Sequence, residues 1–311
     1  MSAQRFAFID IGTNTILCLI AELRDGGRYR VLNDLAEITR LGHGVDQNQS
    51  IGREGEQRSR DVLKQYLAAC KDLGVEEITA VGTSALRDAR NSPEVTERWR
   101  AELGLHVRVI SGNEEAGYSF SAVQRGLPLG GRELLVIDIG GGSTEFIRGN
   151  EGGVVGAESV DIGSVRLTER FLHSDPVGEA ECASMSTAID QQLTSIRERF
   201  SAAGPASALV GIAGTFTTLA AVEKQLTPYS HSAVHGACLT LREVRRQVRL
   251  FQSKTIAERK RIPGLEAKRA DVILAGAYLT ERIMTSFGAE RIVVSDQGVR
   301  YGLLHERLGS L

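Results

Sequence analysis

One stretch, LLVIDIGGGSTE at residues 134–145, constrains this chain more than any other. Leu134 to Ile137 is an apolar run short enough for a buried strand, with Asp138 at its carboxyl end. Three glycines follow, and Ser143-Thr144-Glu145 opens the next element. Glycines let backbone N–H groups approach an oxyanion with no side chain in the way. An acid beside such a turn repels phosphate unless a cation stands between them, and hard cations take carboxylate oxygens. The stretch has a gapless counterpart. Phe8-Ile9-Asp10-Ile11-Gly12-Thr13-Asn14-Thr15 aligns with Val136-Ile137-Asp138-Ile139-Gly140-Gly141-Gly142-Ser143, and both copies run on into further apolar residues. Strand, tight turn and returning strand predict a hairpin in each.

A recurrence so widely spaced predicts two related domains rather than a solenoid. If the two hairpins face each other, two acids and two anion-binding turns converge on one metal-phosphate site. The arrangement resembles the actin/hexokinase/heat-shock ATPase fold: α/β, with two actin-like (ribonuclease H-like) domains facing a central cleft. The expected boundaries are 1–127 for the first domain and 128–298 for the second. Residues 128–133 form the joint, and a terminal helix at 299–311 crosses back to the first. A chain of 311 residues is long enough for two such cores. Its formal charge of −2 argues against general nucleic-acid binding. No apolar run reaches membrane-spanning length and no signal-peptide layout opens the chain. Cys18, Cys70, Cys182 and Cys238 lack metal or redox spacing, which with the rest predicts a cytoplasmic protein with free thiols.

Further junctions carry chemistry. Strands are expected at Tyr29–Leu32, Glu37–Leu41, Glu77–Val81, Leu105–Ile110, Val154–Val160, Ala208–Ala213 and Ile292–Ser295. Helices are expected from about Arg53 to Gly74, at 178–200, at 240–251 and at 267–287. After Val81, the turn into Gly82-Thr83-Ser84-Ala85-Leu86-Arg87 presents N–H groups and a positive dipole end, so Thr83, Ser84 and Arg87 could hold a phosphate. Ser111-Gly112-Asn113-Glu114-Glu115 opens the next helix. Acids are favoured in a first turn in any case, but Glu115 borders the apolar face where it could orient a water. Gly214 and Thr215 form a third glycine-hydroxyl junction suited to phosphate. His43, His231 and His235 have no metal-ligand spacing and read as loop or core residues.

DIGTNT at 10–15, GTSALRDARN at 82–91, SGNEEA at 111–116, DIGGGSTE at 138–145 and SDQGVRYGLL at 295–304 together resemble the exopolyphosphatase/guanosine pentaphosphate phosphohydrolase (Ppx/GppA) family, in its short two-domain form. The resemblance implies Mg²⁺-dependent hydrolysis of the terminal phosphoryl group of inorganic polyphosphate, or alternatively of pppGpp. It implies that Glu115 is the catalytic base and Arg87 a phosphate ligand, and that Asp10, Asp138 and Glu145 serve the metal. Thr13, Asn14, Gly140, Gly141, Gly142 and Ser143 would cradle phosphates, and related enzymes suggest a homodimer. His43 stands where many members carry an acid. A kinase or ATPase of the same superfamily and a nucleotide-dependent filament former are the rivals, and neither accounts for SGNEEA.

One expectation stands apart from the resemblance. Arg242, Arg245, Arg246 and Arg249 recur on one side of the 240–251 helix with no acid on that stripe. A solvated face is the simpler account, but the stripe also suits a track for the distal part of a polyphosphate chain.

Overall fold

The strand Arg5–Ile11 (β1) is buried on both sides. Ala7, Ile9 and Ile11 enter one apolar core and Phe6 and Phe8 another, as the two-residue period of a strand requires. In the computed structural model, which describes residues 4–24, 27–201, 206 and 208–309, β1 returns antiparallel as Thr15–Arg24 (β2) and then Arg28–Ile38 (β3). Glu77–Gly82 (β4) lies parallel to β1, and Val107–Val109 (β5) parallel to β4, giving the order β3-β2-β1-β4-β5.

The helices Arg53–Asp72 and Ser92–Leu103 bring Leu63, Tyr66 and the fully buried Trp99 onto one face. Gly74 ends the first of them in a left-handed conformation, φ +64°, with its N–H on the carbonyl of Lys71. The helix Val299–Gly309 covers the other face through Val299, Leu303 and Leu304.

The second sheet repeats this plan. Leu134–Ile139 (β6), Thr144–Asn150 (β7) and Gly153–Val160 (β8) form an antiparallel meander, and Ala208–Ile212 (β9) lies parallel to β6. Cys238–Thr240 (β10) and Arg291–Val294 (β11) complete the order β10-β11-β9-β6-β7-β8. Read from the meander, β8-β7-β6-β9-β11 matches β3-β2-β1-β4-β5, so the same α/β plan occurs twice. Its core takes Met185, Ile189 and Ile196 from the helix Glu179–Ser201, and Leu274 and Ile283 from Ile273–Ser286.

The chain divides into Met1–Ala122 with Val299–Leu311 as unit 1 and Val123–Gly298 as unit 2. The first break falls inside the helix Gly112–Gly126 rather than at 127/128. Residues 310–311 of the returning segment lie outside the described residues.

Two expectations need correction, and one strand was missed. The two strands expected at 29–41 are one, β3. Asp34 sits inside it because Arg300 donates to both its oxygens, at 2.8 and 3.0 Å, and the Tyr301 hydroxyl donates at 3.0 Å. The helix expected at 267–287 is a 3₁₀ turn, Ala267–Arg269, followed by Ile273–Ser286. The short edge strand β10, too brief to leave a periodic signal, was not expected.

Candidate active site

The two hairpin turns share one geometry. Gly12 N–H donates to Thr15 O and Gly140 N–H to Ser143 O, each at 3.0 Å. A Cβ on Gly12 would stand 2.9 Å from Thr15 O, and one on Gly140 3.2 Å from Ser143 O, so each turn closes tightly on its glycine. In unit 2 the turn is clamped onto the start of the helix Ser164–Phe171. Ser164 N–H donates to Gly140 O at 3.0 Å, Val165 and Arg166 N–H to Gly141 O at 2.9 and 3.0 Å, and Arg166 Nε–H to Gly142 O at 2.7 Å. The C=O and N–H of a trans peptide point in opposite directions. With these three carbonyls turned to the helix, the N–H groups of Gly141, Gly142 and Ser143 face the other way, the orientation an anion-binding turn requires.

Around the turns stand the acids. Asp138 and Glu145 are cross-strand partners on β6 and β7. Glu145 is 2 % exposed, and its Oε1 accepts from the hydroxyls of Ser143 and Ser159, both at 2.7 Å, which fixes the carboxylate beneath the turn. In unit 1 the side chain of Asp10 is partly exposed, but its Oδ1 is out of solvent contact and has no hydrogen-bond partner. Burial pushes this carboxyl up to about 6, against the opposing pull of Arg300. Asn14, in the same hairpin, also has a buried Oδ1 without a partner, while Thr13 is half-buried.

At the carboxyl ends of β4 and β5 the paired glutamates separate. Glu114 is an exposed cap: Ser111 N–H and hydroxyl donate to its Oε2, both at 2.9 Å, its own N–H bonds Ser111 Oγ, and Arg108 pairs with its other oxygen. The Ser111 amide, then the hydroxyl and Arg108, hold its carboxyl below the usual range. Glu115 is 8 % exposed and faces Arg87, whose Nη1 donates to Glu115 Oε2 at 2.5 Å and to Ile110 O at 3.2 Å. Both bonds use Nη1, so the Nε/Nη2 edge of Arg87 is left as a fork of the kind that matches phosphate oxygens. Thr83 and Ser84 are buried at the start of the short helix Ser84–Asp88 that carries Arg87.

The third junction holds a residue that sequence reasoning missed. Ala213 has φ +69°, strained for a residue with a Cβ, and Gly214 and Thr215 follow in the helix Ala213–Glu223. Thr215 is buried beside the end of β6, its Oγ1 3.5 Å from Ile139 O. A Cβ on Gly214 would lie 2.1 Å from Nη1 of Arg269, so this glycine admits the guanidinium against the backbone. Burial pushes that guanidinium down from its ordinary value, and Glu266 lies 3.6 Å away. Nothing in the local pattern of Lys268-Arg269 separates this arginine from a surface one.

In the folded unit two arginines of the stripe have acid partners. Arg245 pairs with Glu281 at 3.1 Å and Arg246 with Glu223, acids that come from neighbouring helices and so were invisible on the stripe itself. Arg242 and Arg249 are exposed on the same helix. His43 is an exposed loop residue, and His235 bonds Gly126 O at 2.9 Å. His231 pairs with Asp296.

Comparison with known proteins agrees with these motifs. The model of the Ppx/GppA phosphatase family matches residues 19–311. Exopolyphosphatase 2 of Mycobacterium tuberculosis is 34% identical over 97% of this chain and 98% of its own length. A bifunctional 3-dehydroquinate synthase/phosphatase of Fusobacterium nucleatum is 33% identical over 96% of this chain, which spans only 46% of that protein. A guanosine-5'-triphosphate,3'-diphosphate pyrophosphatase of Vibrio cholerae is 28% identical over 100% of this chain and 61% of its own. The crystal structure of an exopolyphosphatase from Cytophaga hutchinsonii superposes with a TM-score of 0.91 at 30% identity, covering 99% of both chains. With its duplicated turns, its SGNEEA helix start and a family match over nearly its whole length, the chain belongs to the Ppx/GppA phosphatase family.

Proposed function

We propose that this protein is a phosphoanhydride hydrolase that removes the terminal phosphoryl group of inorganic polyphosphate as orthophosphate, with pppGpp as the alternative substrate. The observation that carries the reading is the division of labour at the SGNEEA helix. Glu114 is consumed by capping, while Glu115 is buried and held by an arginine with a phosphate-binding edge to spare. The relatives named exopolyphosphatase support polyphosphate, and the Vibrio cholerae relative supports pppGpp as the second reading.

Phosphoryl transfer passes through a loose anionic transition state, so catalysis is mostly positioning and charge neutralisation. Glu115 aligns the attacking water and takes its proton as the new P–O bond forms and the bridging P–O bond breaks. Arg87 holds equatorial oxygens through its Nε/Nη2 edge and keeps Glu115 in place through Nη1. The N–H groups of Gly141, Gly142 and Ser143 hold phosphate oxygens, with Thr13 and Asn14 in the corresponding turn of unit 1. Arg269 adds a cation at Gly214 and Thr215.

A Mg²⁺ ion fits the residues present. The Oδ1 of Asp10 is a buried carboxylate oxygen without a partner, and Asp138 and Glu145 are further carboxylates beside the second turn. Among the described residues no three His, Cys, Asp or Glu side chains group as a metal cage. Mg²⁺ characteristically uses one or two carboxylates with water and substrate phosphate. In unit 1 Asp10 would serve it, in unit 2 Asp138 would, with Glu145 orienting its surroundings, and when bound it would neutralise charge on the transferring phosphoryl group. A cytoplasmic location and a homodimer belong to the same proposal, the former supported by three buried free thiols, Cys18, Cys70 and Cys182.

Orthophosphate release from polyphosphate, pppGpp and ATP, measured side by side with Mg²⁺ and with EDTA, tests the reading. The expected result is turnover of polyphosphate or pppGpp well above ATP, abolished by EDTA. Turnover of ATP alone, dependent on an added acceptor, would assign the chain to the kinases of the superfamily.

A further inference from the structure

Residues 256–272 form a strap along the helix Ala213–Glu223. At the far end of that helix, Gly264 lies so close that a Cβ would stand 2.2 Å from Ala221 O, and its φ of +84° is one that glycine adopts readily. At the near end the strap delivers the guanidinium of Arg269 to Gly214. The strap is rooted by a second arginine, Arg259, which is 1 % exposed. Its Nε donates to Phe251 O at 2.7 Å and its Nη1 to Ala270 O at 3.3 Å, while its buried Nη2 has no hydrogen-bond partner. A guanidinium in this position is costly, because a buried charge loses its hydration and recovers only part of it from carbonyls. An unbranched apolar side chain would fill the same space without that cost, so the position calls for a reason to keep the fork.

The fork spans two elements. Phe251 belongs to the helix Leu241–Gln252, packed in the core of unit 2, and Ala270 directly follows the 3₁₀ turn Ala267–Arg269. We propose that Arg259 is a positioning residue: by tying the carbonyl of Ala270 to the end of the helix Leu241–Gln252, it fixes the 3₁₀ turn and so holds the guanidinium of Arg269 over Gly214 for substrate phosphate. Arg259 touches no substrate. Its effect passes through the backbone of residue 270, and the proposal rests on Arg269 being a phosphate ligand as read above.

A double-mutant cycle on the full chain tests it, with KM and kcat for orthophosphate release from polyphosphate, or from pppGpp if that is turned over faster. The variants are Arg259→Met, Arg259→Lys, Arg269→Met and the two doubles. Arg269→Met and Arg259→Met should each raise KM roughly tenfold with kcat changed by less than about threefold, as loss of a charged hydrogen bond to substrate predicts. The double should be no worse than Arg269→Met, since a displaced guanidinium and a missing one are equivalent. Arg259→Lys keeps the charge without the planar fork and should fall between wild type and Arg259→Met.

An unchanged KM in the Arg259 variants beside a raised KM in Arg269→Met overturns the positioning role and leaves the ligand reading standing, as do effects that simply add in the doubles. An unchanged KM in Arg269→Met overturns the ligand reading itself. If circular dichroism finds Arg259→Met unfolded, the lysine cycle decides by the same criteria. Failure of both variants to fold makes Arg259 a structural residue only and also overturns the proposal.

Discussion

At the scale of single residues, neighbouring side chains of one type are given opposite tasks by what surrounds them. Glu114 and Glu115 are adjacent in sequence, yet one closes a capping box in solvent and the other is buried against Arg87. In Asp10, burial pushes the carboxyl up to about 6 from its ordinary 3.8. Between those two values the folded chain therefore binds more protons than the unfolded one, and its stability falls as pH rises from about 4 to about 6. In EDTA, Asp10→Asn should then be more resistant to urea than wild type at pH 7, with the difference fading below about pH 4. A variant no more stable at pH 7 would mean that Asp10 is not destabilised in the metal-free protein. With Mg²⁺ the order should reverse, since a bound cation favours the carboxylate.

At the scale of elements, the turn between β6 and β7 is shaped by the helix beneath it. Gly163 precedes that helix, and a Cβ there would stand 2.4 Å from Gly141 O. Gly163→Ala should push the turn out of position, costing about 1–3 kcal/mol in stability and most of the phosphatase activity. Normal kinetics in this variant would show that the turn's placement is not needed.

The turns themselves were legible in the sequence because glycines beside an acid leave few alternatives, and Gly74 marked a helix end for an equally local reason. Arg269 was not legible. Its role depends on Gly214 far back in the chain and on a strap whose 3₁₀ turn looked like the start of a long helix. The partners of the arginine stripe were equally invisible, since Glu223 and Glu281 reach Arg246 and Arg245 from other helices. Pairing across elements leaves no local pattern.

At the scale of the whole molecule, the chain builds one strand plan twice and returns to the first unit with the helix Val299–Gly309. That return is anchored by Arg300 on Asp34, both nearly buried. Removing one partner strands a charge in the interior, so Asp34→Ala should cost unit 1 about 3–5 kcal/mol in urea unfolding; a change below about 1 kcal/mol, the range of surface pairs, would mean that the pair does not anchor the helix. The duplicated plan also accounts for the closing hydrogen bond that the two glycine turns share, whereas the SGNEEA motif occurs once, in unit 1. The central claim is that the catalytic base is Glu115. It is tested most directly by orthophosphate release from polyphosphate or pppGpp, whichever the wild type turns over faster, by wild type, Glu114→Gln and Glu115→Gln at saturating substrate and Mg²⁺. Glu115→Gln should lose about 10²–10⁴-fold in kcat with KM nearly unchanged, and Glu114→Gln should lose stability but keep kcat within a few-fold. A crippled Glu114→Gln beside a Glu115→Gln of near wild-type rate would contradict the account.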